Sequence, residues 1–515
     1  MASLLVRAAR IVPIRSAAPV EPVDLRIAGG RIVARGRLTP EPGDRVVDAE
    51  GRWAVPGLWD QHVHFAQWAQ TRTRLDVSGT NSPGEVLAIV RDHLRSADPG
   101  SWVFGFGFRL APWDRQPTVA ELDAVTAGHP VVLTSGDAHN GWLNSAALAA
   151  LGAPDTDGPL TEATWFALLP RVIALTERDQ DDDAVTETIA TAAARGVTGI
   201  VDFEMAAAFR AWPALHAAGI GGLRVRAAVY PDLLDEVLAE GLRSGDALTA
   251  DGLVSMGPLK IISDGSLNTR TAYCRHRYAG GQDRGVQNHD LADLVDLLTR
   301  ATTGGLKVAV HAIGDAAVRD ALAAFARTGA RGSIEHAQVM TPDDVATMAG
   351  SGIRASVQPA HLLDDRDATA RLWPDQVDRC FPLRSLLDAG VPLALGSDAP
   401  VARLDPWEAM AAAVHRSGDD RPAWNPAESI TAAEALAASV DGCDTLTAGS
   451  PADLVLLDDD PLRVFDTTAE TAAHLRAMPV AATLLAGRFT YGPVSSPGFD
   501  DMVGDDAPDG ARGRS

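Results

Sequence analysis

Apolar and polar residues alternate along the first 55 positions in "LLVRAARIVPI", "DLRIAGGRIVARG" and "RVVDAEGRWAVPG", each cut off by Gly or Pro. That period of two reads as short, half-buried strands. The same texture returns in "GSPADLVLLDDDP" and "PVAATLLAGRFTYG". In between, short apolar runs end in polar residues: "GVTGIVDFE" (196–204), "LRVRAAVYPD" (223–232), "PLKIISDGS" (258–266), "KVAVHAIGD" (307–315), "GSIEHAQ" (332–338), "RASVQPAH" (354–361) and "PLALGSDAP" (392–400). With "WAVPGLWDQHVHF" (53–65) these make eight, and helical patterns such as "DAAVRDALAAFARTG" fall between them. The pattern predicts an α/β chain built on a (β/α)8 TIM-type barrel, with an open doubly wound sheet as the alternative. The two β-rich ends are expected to pair as a composite β-sandwich. The expected division is 1–55 and 441–492 for the sandwich, 56–440 for the barrel, and 493–515 as a disordered tail.

About 130 residues, 66–195, separate the first two barrel strands, far more than one crossover needs. They hold Trp68, Trp102, Trp113, Trp142 and Trp165, five of the chain's eleven tryptophans, and read as an inserted lid subdomain over the barrel mouth. The acidic run "ERDQDDD" at 177–183 reads as a solvated loop.

Composition narrows the function classes. A net charge of -23 over 515 residues argues against nucleic acid and anionic membranes as partners. The three cysteines, Cys274, Cys380 and Cys443, have no CxxC spacing and imply neither a disulfide framework nor a cysteine zinc cluster. No run reaches the ~20 apolar residues of a membrane span, and the N-terminus reads as a strand, so a cytoplasmic protein is expected.

The polar residues at the strand ends carry the chemistry. His62 and His64 lie two apart in "DQHVHF", on one side of an extended strand. His311, His336 and Asp398 each end a different strand, at the barrel face where active sites are built. Four histidines and an aspartate form a nitrogen and oxygen set suited to zinc or a similar divalent ion. Lys260 sits inside the apolar run "PLKIISDGS", and the chain has only one other lysine, Lys307, beside 43 arginines. Either the position needs a primary amine or the stem carries an ammonium out to solvent.

At this point the chain resembles the amidohydrolase superfamily of metal-dependent hydrolases, in the branch that includes N-substituted formamide deformylases and YtcJ-like proteins. The resemblance runs from residue 1 to about 490 and includes "DGSLNTRTA" after strand four. It implies that His62 and His64 bind one metal ion, that His311 and His336 bind a second, and that Asp398 is both a base and a ligand. It further implies that Lys260 takes up carbon dioxide as a carbamate bridging the ions. One or two divalent ions, zinc foremost, are the expected cofactors. The implied reaction is metal-assisted hydrolysis of a carbon-nitrogen bond in a small non-peptide amide, such as an N-substituted formamide or N-acyl amine, with Asp398 moving the proton.

Further site residues are read from position. His361, ending strand seven, is placed to hydrogen-bond a carbonyl or its oxyanion. Asp264, Ser266 and Arg270 are read as substrate-binding, with helix capping as the alternative for the first two. His139 and Trp142, in "GDAHNGWLNS", are read as parts of the mouth, with subdomain packing as the alternative. Asp453 is read as a structural residue of the β module. The competing functions are a lactonase, esterase or carbamate hydrolase on the same scaffold, a Schiff-base lyase using Lys260, and a non-catalytic metal-binding protein. The expected partners are a small-molecule substrate and a second copy of the chain in a homodimer.

Overall fold

The eight runs become eight parallel strands in the computed structural model, which describes residues 3–110, 113–176, 182–205 and 207–492. They are β1 (Leu58–Val63), β2 (Val197–Asp202), β3 (Arg224–Val229), β4 (Val254–Ile262), β5 (Val308–Ala312), β6 (Gly332–His336), β7 (Arg354–Val357) and β8 (Leu393–Leu395). They hydrogen-bond side by side in chain order. Between β8 and β1 the ring is drawn together by Asp398 N donating to His62 O at 2.7 Å and His64 N donating to Ala399 O at 2.8 Å. β2, β5 and β8 are buried along their whole length, as parallel strands covered on both faces must be. The doubly wound alternative is therefore set aside.

The run "WAVPGLWDQHVHF" is two strands and not one. Trp53–Pro56 pairs antiparallel with Leu454–Leu457, while Leu58–Val63 enters the barrel. Gly57 is the joint, where a Cβ would lie 2.1 Å from Thr198 Oγ1. From Trp53 to Trp59 the run is apolar on both sides of Gly57, because the two strands that meet there are both largely covered, so its period gives no sign of the break.

Strands from the two chain ends form one eight-stranded sheet through Ser3–Ile11, which pairs with Val23–Ala28 and Asp44–Asp48 in its first half and with Trp53–Pro56 in its second. Alternation decides which face goes where. Ala54, Leu454 and Leu456 join Leu4, Val6, Leu25 and Ile27 in one core, while Val55, Val455 and Leu457 pack on the barrel. Asp453 ties the two bodies together: it pairs with Arg224 of β3 and accepts from Ala486 N at 2.7 Å.

Between β1 and β2 the chain builds a five-stranded sheet of its own, with Val103–Phe108 and Val131–Ser135 at its centre. Trp142 and Trp165 are each fully buried in it. Of the acidic run at 177–183, Asp182 and Asp183 open the helix Asp182–Ala194, and the other five residues lie outside the described residues, as does the expected tail from 493. Among the described residues, no helix is long and apolar enough to cross a membrane.

Candidate functional site

The carboxyl ends of the barrel strands surround a cavity of about 880 Å³, counted out to its open mouth. His62, His64, Lys260, His311, His336, His361 and Asp398 all line it, although they come from six different strands or strand ends. Register explains part of this convergence. His311 of β5 lies level with Ile262 of β4, and His336 of β6 lies level with Ala312. Backbone turning explains more. His336 and Asp398 adopt φ values of 69° and 58°, left-handed conformations that take the chain out of the pleat at the strand end. Glu335 and His336, adjacent in sequence, can then both reach the barrel interior.

At the centre, His62 Nδ1 lies 2.8 Å from Glu335 Oε2 and its Nε2 lies 3.0 Å from Lys260 Nζ. A carboxylate at Nδ1 fixes the proton there and leaves Nε2 as a lone-pair donor. His62 Nε2 and His64 Nε2 approach Asp398 Oδ1 at 3.5 and 3.3 Å, and His361 Nε2 approaches Oδ2 at 3.8 Å. Two groups therefore have donor atoms within 4.8 Å of one another: His62, His64 and Asp398, and His336, His361 and Asp398. His361 stands in the second group where His311 was expected. The His311 ring still packs on His336, with centroids 4.5 Å apart, but its Nε2 turns to Asp264 Oδ1 and Gly265 O, each at 3.4 Å.

Electrostatics favours a cation here. Burial lowers the pKa of His62 and His336 well below the usual value, with neighbouring positive charges adding to it, and pushes His311 down to about 3. These rings stay neutral, as metal ligands must. Burial opposes ionisation of Asp398, but the hydrogen bond and charge of His64, with His361 and Lys260, hold its pKa below the usual carboxylate value. His64 Nδ1, His336 Nδ1 and His361 Nε2 are shielded from solvent and have no hydrogen-bond partner among the described residues. Unpaired imidazole nitrogens around a carboxylate fit a divalent cation.

Lys260 is 1 % exposed, with Nζ lying 4.3 Å from the centroid of the Phe203 ring. Its stem does not reach solvent, which removes the surface-seeking reading. Burial lowers its pKa to about 8 against the opposing pull of Glu335 and Asp398, so much of the amine is neutral at mildly basic pH.

The remaining sequence-chosen residues divide. Ser266 lines the cavity and donates to Asp137 Oδ2 at 3.1 Å. His139 also lines it, with Nδ1 3.2 Å from Glu162 Oε1, and burial of the ring is outweighed by Glu162, which raises its pKa to about 9. Asp264 is fully buried and accepts from the backbone N–H groups of Tyr273, Ile313 and Gly314 at 2.9, 3.1 and 2.8 Å. Its oxygens are occupied in tying the loop after β4 to the loop after β5, so it supports His311 and does not face the cavity. Arg270 is exposed and outside the lining. Trp142 forms no wall of the mouth: it packs into the core of the insertion, and its Nε1 donates to Thr118 O at 3.0 Å.

Sequence reading passed over Glu335, although a buried acid beside His336 in "GSIEHAQ" was a visible signal. It also passed over Asp365, one helical turn beyond His361, which accepts from Gln338 Nε2 at 2.9 Å and Asn268 Nδ2 at 3.1 Å. Arg109, reaching in from the insertion, is paired with Asp364 at 2.8 Å.

Known proteins are similar to this chain over most of its length. The model of the amidohydrolase family matches residues 45–491. The putative amidohydrolase YtcJ of Bacillus subtilis is 26% identical, over 87% of this chain and 91% of its own. The N-substituted formamide deformylase of Arthrobacter pascens is also 26% identical, over 90% and 94%. The protein LONG AFTER FAR-RED 3 of Arabidopsis thaliana is 28% identical, over 91% and 88%. Among solved structures, an uncharacterized metal-dependent hydrolase from Pyrococcus horikoshii superposes with a TM-score of 0.74 at 24% identity, covering 90% of this chain and 99% of its own.

Proposed function

The chain belongs to the amidohydrolase family, and from that premise we propose that it hydrolyses the carbon-nitrogen bond of a small non-peptide amide, of the N-substituted formamide or N-acyl amine class. The observation that carries this reading is the placement of Asp398. Its carboxylate lies between His62 and His64 on one oxygen and His361 on the other, at the base of a cavity that also presents Phe166, Leu169 and Met205. Apolar walls above a hydrolytic base suit an alkyl or aryl substituent on the amide.

His62, His64 and Asp398 would hold one cation. The His336 side of the cavity would hold a second, completed by a carbamate on Lys260 and by His311, whose Nε2 would give up Asp264 and Gly265 O for the cation, and the nitrogen and oxygen donors favour zinc. A divalent cation supplies Lewis acidity there, polarising a carbonyl oxygen and making water ionisable near neutral pH. Asp398 accepts the proton of the attacking water and returns it to the departing nitrogen, so that the amine leaves neutral. His361 Nε2, unpaired and aimed into the cavity, donates to the oxygen that becomes negative as the carbonyl turns tetrahedral. Glu335 holds the His62 ring in orientation. The neutral amine of Lys260 attacks carbon dioxide, forming an N–C bond and releasing one proton, and the resulting carbamate takes the place of an ammonium that would repel cations.

A panel of paired amides and esters tests the assignment. Hydrolysis of N-substituted formamides or N-acyl amines should exceed that of the matching esters, and Asp398→Asn should lower kcat by about 10²–10⁴-fold with the fold intact. Faster turnover of the esters, or near-normal amide turnover in the variant, would overturn it. With ¹³C-labelled bicarbonate, a carbamate resonance present in the wild type and absent in Lys260→Ala checks the lysine.

A further inference from the structure

Away from the cavity, the loop after β4 crosses the start of the helix Asp315–Thr328 that follows β5. Tyr273 O accepts from Ala316 N and Ala317 N, both at 3.2 Å, and Arg275 N donates to Asp315 Oδ1 at 2.8 Å. Gly314 permits the approach, since a Cβ there would lie 2.0 Å from Tyr273 O. The crossing brings together three chemically unlike side chains: the thiol of Cys274, the imidazole of His276 and the carboxylate of Asp315. Their donor atoms all lie within 4.8 Å of one another.

Ordinary packing does not account for His276. Both ring nitrogens are shielded from solvent, yet neither makes a hydrogen bond among the described residues. The nearby Asp315 Oδ1 is 3.7 Å from Nδ1, beyond hydrogen-bond reach. An unsatisfied buried polar atom costs about 1–3 kcal/mol, and here two occur on one ring. The Cys274 thiol is buried and, among the described residues, donates to Ala272 O at 3.3 Å. Burial pushes its pKa up, so it stays protonated unless a cation is beside it.

We propose that Cys274, His276 and Asp315 bind a zinc-class divalent cation at a site separate from the barrel centre. Thiolate, imidazole and carboxylate together select a borderline-soft ion over magnesium or calcium, and the two anionic ligands neutralise its charge. Asp315 Oδ2 is steadied by Arg379 Nη1 at 3.5 Å, leaving Oδ1 on the His276 side. The bound ion pins the loop that carries Ser266, Leu267 and Asn268 of the cavity wall to the barrel, and so acts as a structural staple.

The test is cobalt binding to the reduced, chelator-treated full chain. Sulfur-to-cobalt charge-transfer absorption reports thiolate ligation alone, and none of the residues placed at the barrel centre is a cysteine. Cobalt in excess of the two equivalents the barrel centre can hold should develop the band, Cys274→Ser should abolish it, and His276→Asn should weaken the cobalt binding that the band reports by more than roughly 100-fold, beyond the loss of a merely supporting partner. Unchanged far-ultraviolet circular dichroism checks folding in both variants. No band in the wild type overturns the proposal, as does a band that survives Cys274→Ser and disappears in Cys380→Ser or Cys443→Ser. If Cys274→Ser fails to fold, His276→Asn decides alone, and unchanged affinity overturns the site.

Discussion

Glu335 and His139 act on the site through hydrogen bonds that fix a neighbour or a charge. Glu335 Oε2 holds His62 Nδ1 at 2.8 Å, so Glu335→Gln weakens the orientation of the ring without removing a ligand. The expected cost is a 10–100-fold loss of metal affinity, read by competition with a chromogenic chelator, at unchanged circular dichroism. Unaltered affinity would reduce the contact to packing. His139 is raised to about 9 by Glu162 against the effect of burial. Its folded pKa lies above the unfolded value of ~6.5. The native state therefore binds more protons between the two, and the stability this pair contributes is complete below pH ~6.5 and lost as pH rises through about 9. In His139→Gln, unfolding free energies from denaturant titrations should fall less steeply across that window, by up to about 3 kcal/mol in total. An identical slope in both proteins would show that His139 titrates as it does in the unfolded chain. Asp264 illustrates what spacing could not reveal. "SDGS" reads equally as substrate contact or cap, and only the three backbone N–H groups around it decide for a loop anchor.

Elements were legible where period and position agreed. Seven of the barrel strands follow their apolar runs, because each run ends in polar residues at the mouth. The eighth run hid the boundary between Trp53–Pro56 and β1, since the residues on either side of it, Trp53 to Trp59, are apolar without a break. Gly57 is the residue that makes the joint possible: Thr198 Oγ1 and Cγ2 stand 2.1 and 2.5 Å from where a Cβ would go. Gly57→Ala should lower stability by about 1–3 kcal/mol, measured as a drop in Tm, and Thr198→Ala in the same chain should recover part of it. Additive losses in the double variant would contradict the steric account. The insertion was visible as an interval too long for a crossover. That Trp142 faces its interior depended on how the strands Val131–Ser135 and Asn140–Leu143 pair, which an isolated segment does not specify.

For the whole molecule, the barrel centre couples folding to metal. Six strands meet around unpaired imidazoles, so a cation that binds only the folded chain should stabilise it. At a free concentration 1,000 times its Kd the gain is about 4 kcal/mol. Measured in Cys274→Ser, so that the loop site is silent, chelation should lower Tm and added zinc should restore it. Equal melting with and without zinc would contradict a metal-binding centre. The sheet shared by the two chain ends makes the barrel and the terminal strands one folding problem. Leu454–Leu457 pairs with Trp53–Pro56 some 400 residues earlier, and Asp453 fastens that sheet to β3.

The sequence alone determined the barrel, the paired ends, the long insertion and the strand-end histidines with Lys260 and Asp398. Each of these is encoded locally, in a period, an interval or a polar residue closing an apolar run. The tertiary structure decided which of them meet. It brought His361 beside His336 and Asp398, turned His311 toward Asp264, added Glu335 behind His62 and took Arg270 and Trp142 out of the cavity. Those outcomes depend on strand register, on left-handed turns at His336 and Asp398, and on contacts between loops distant in the chain, none of which a local pattern carries.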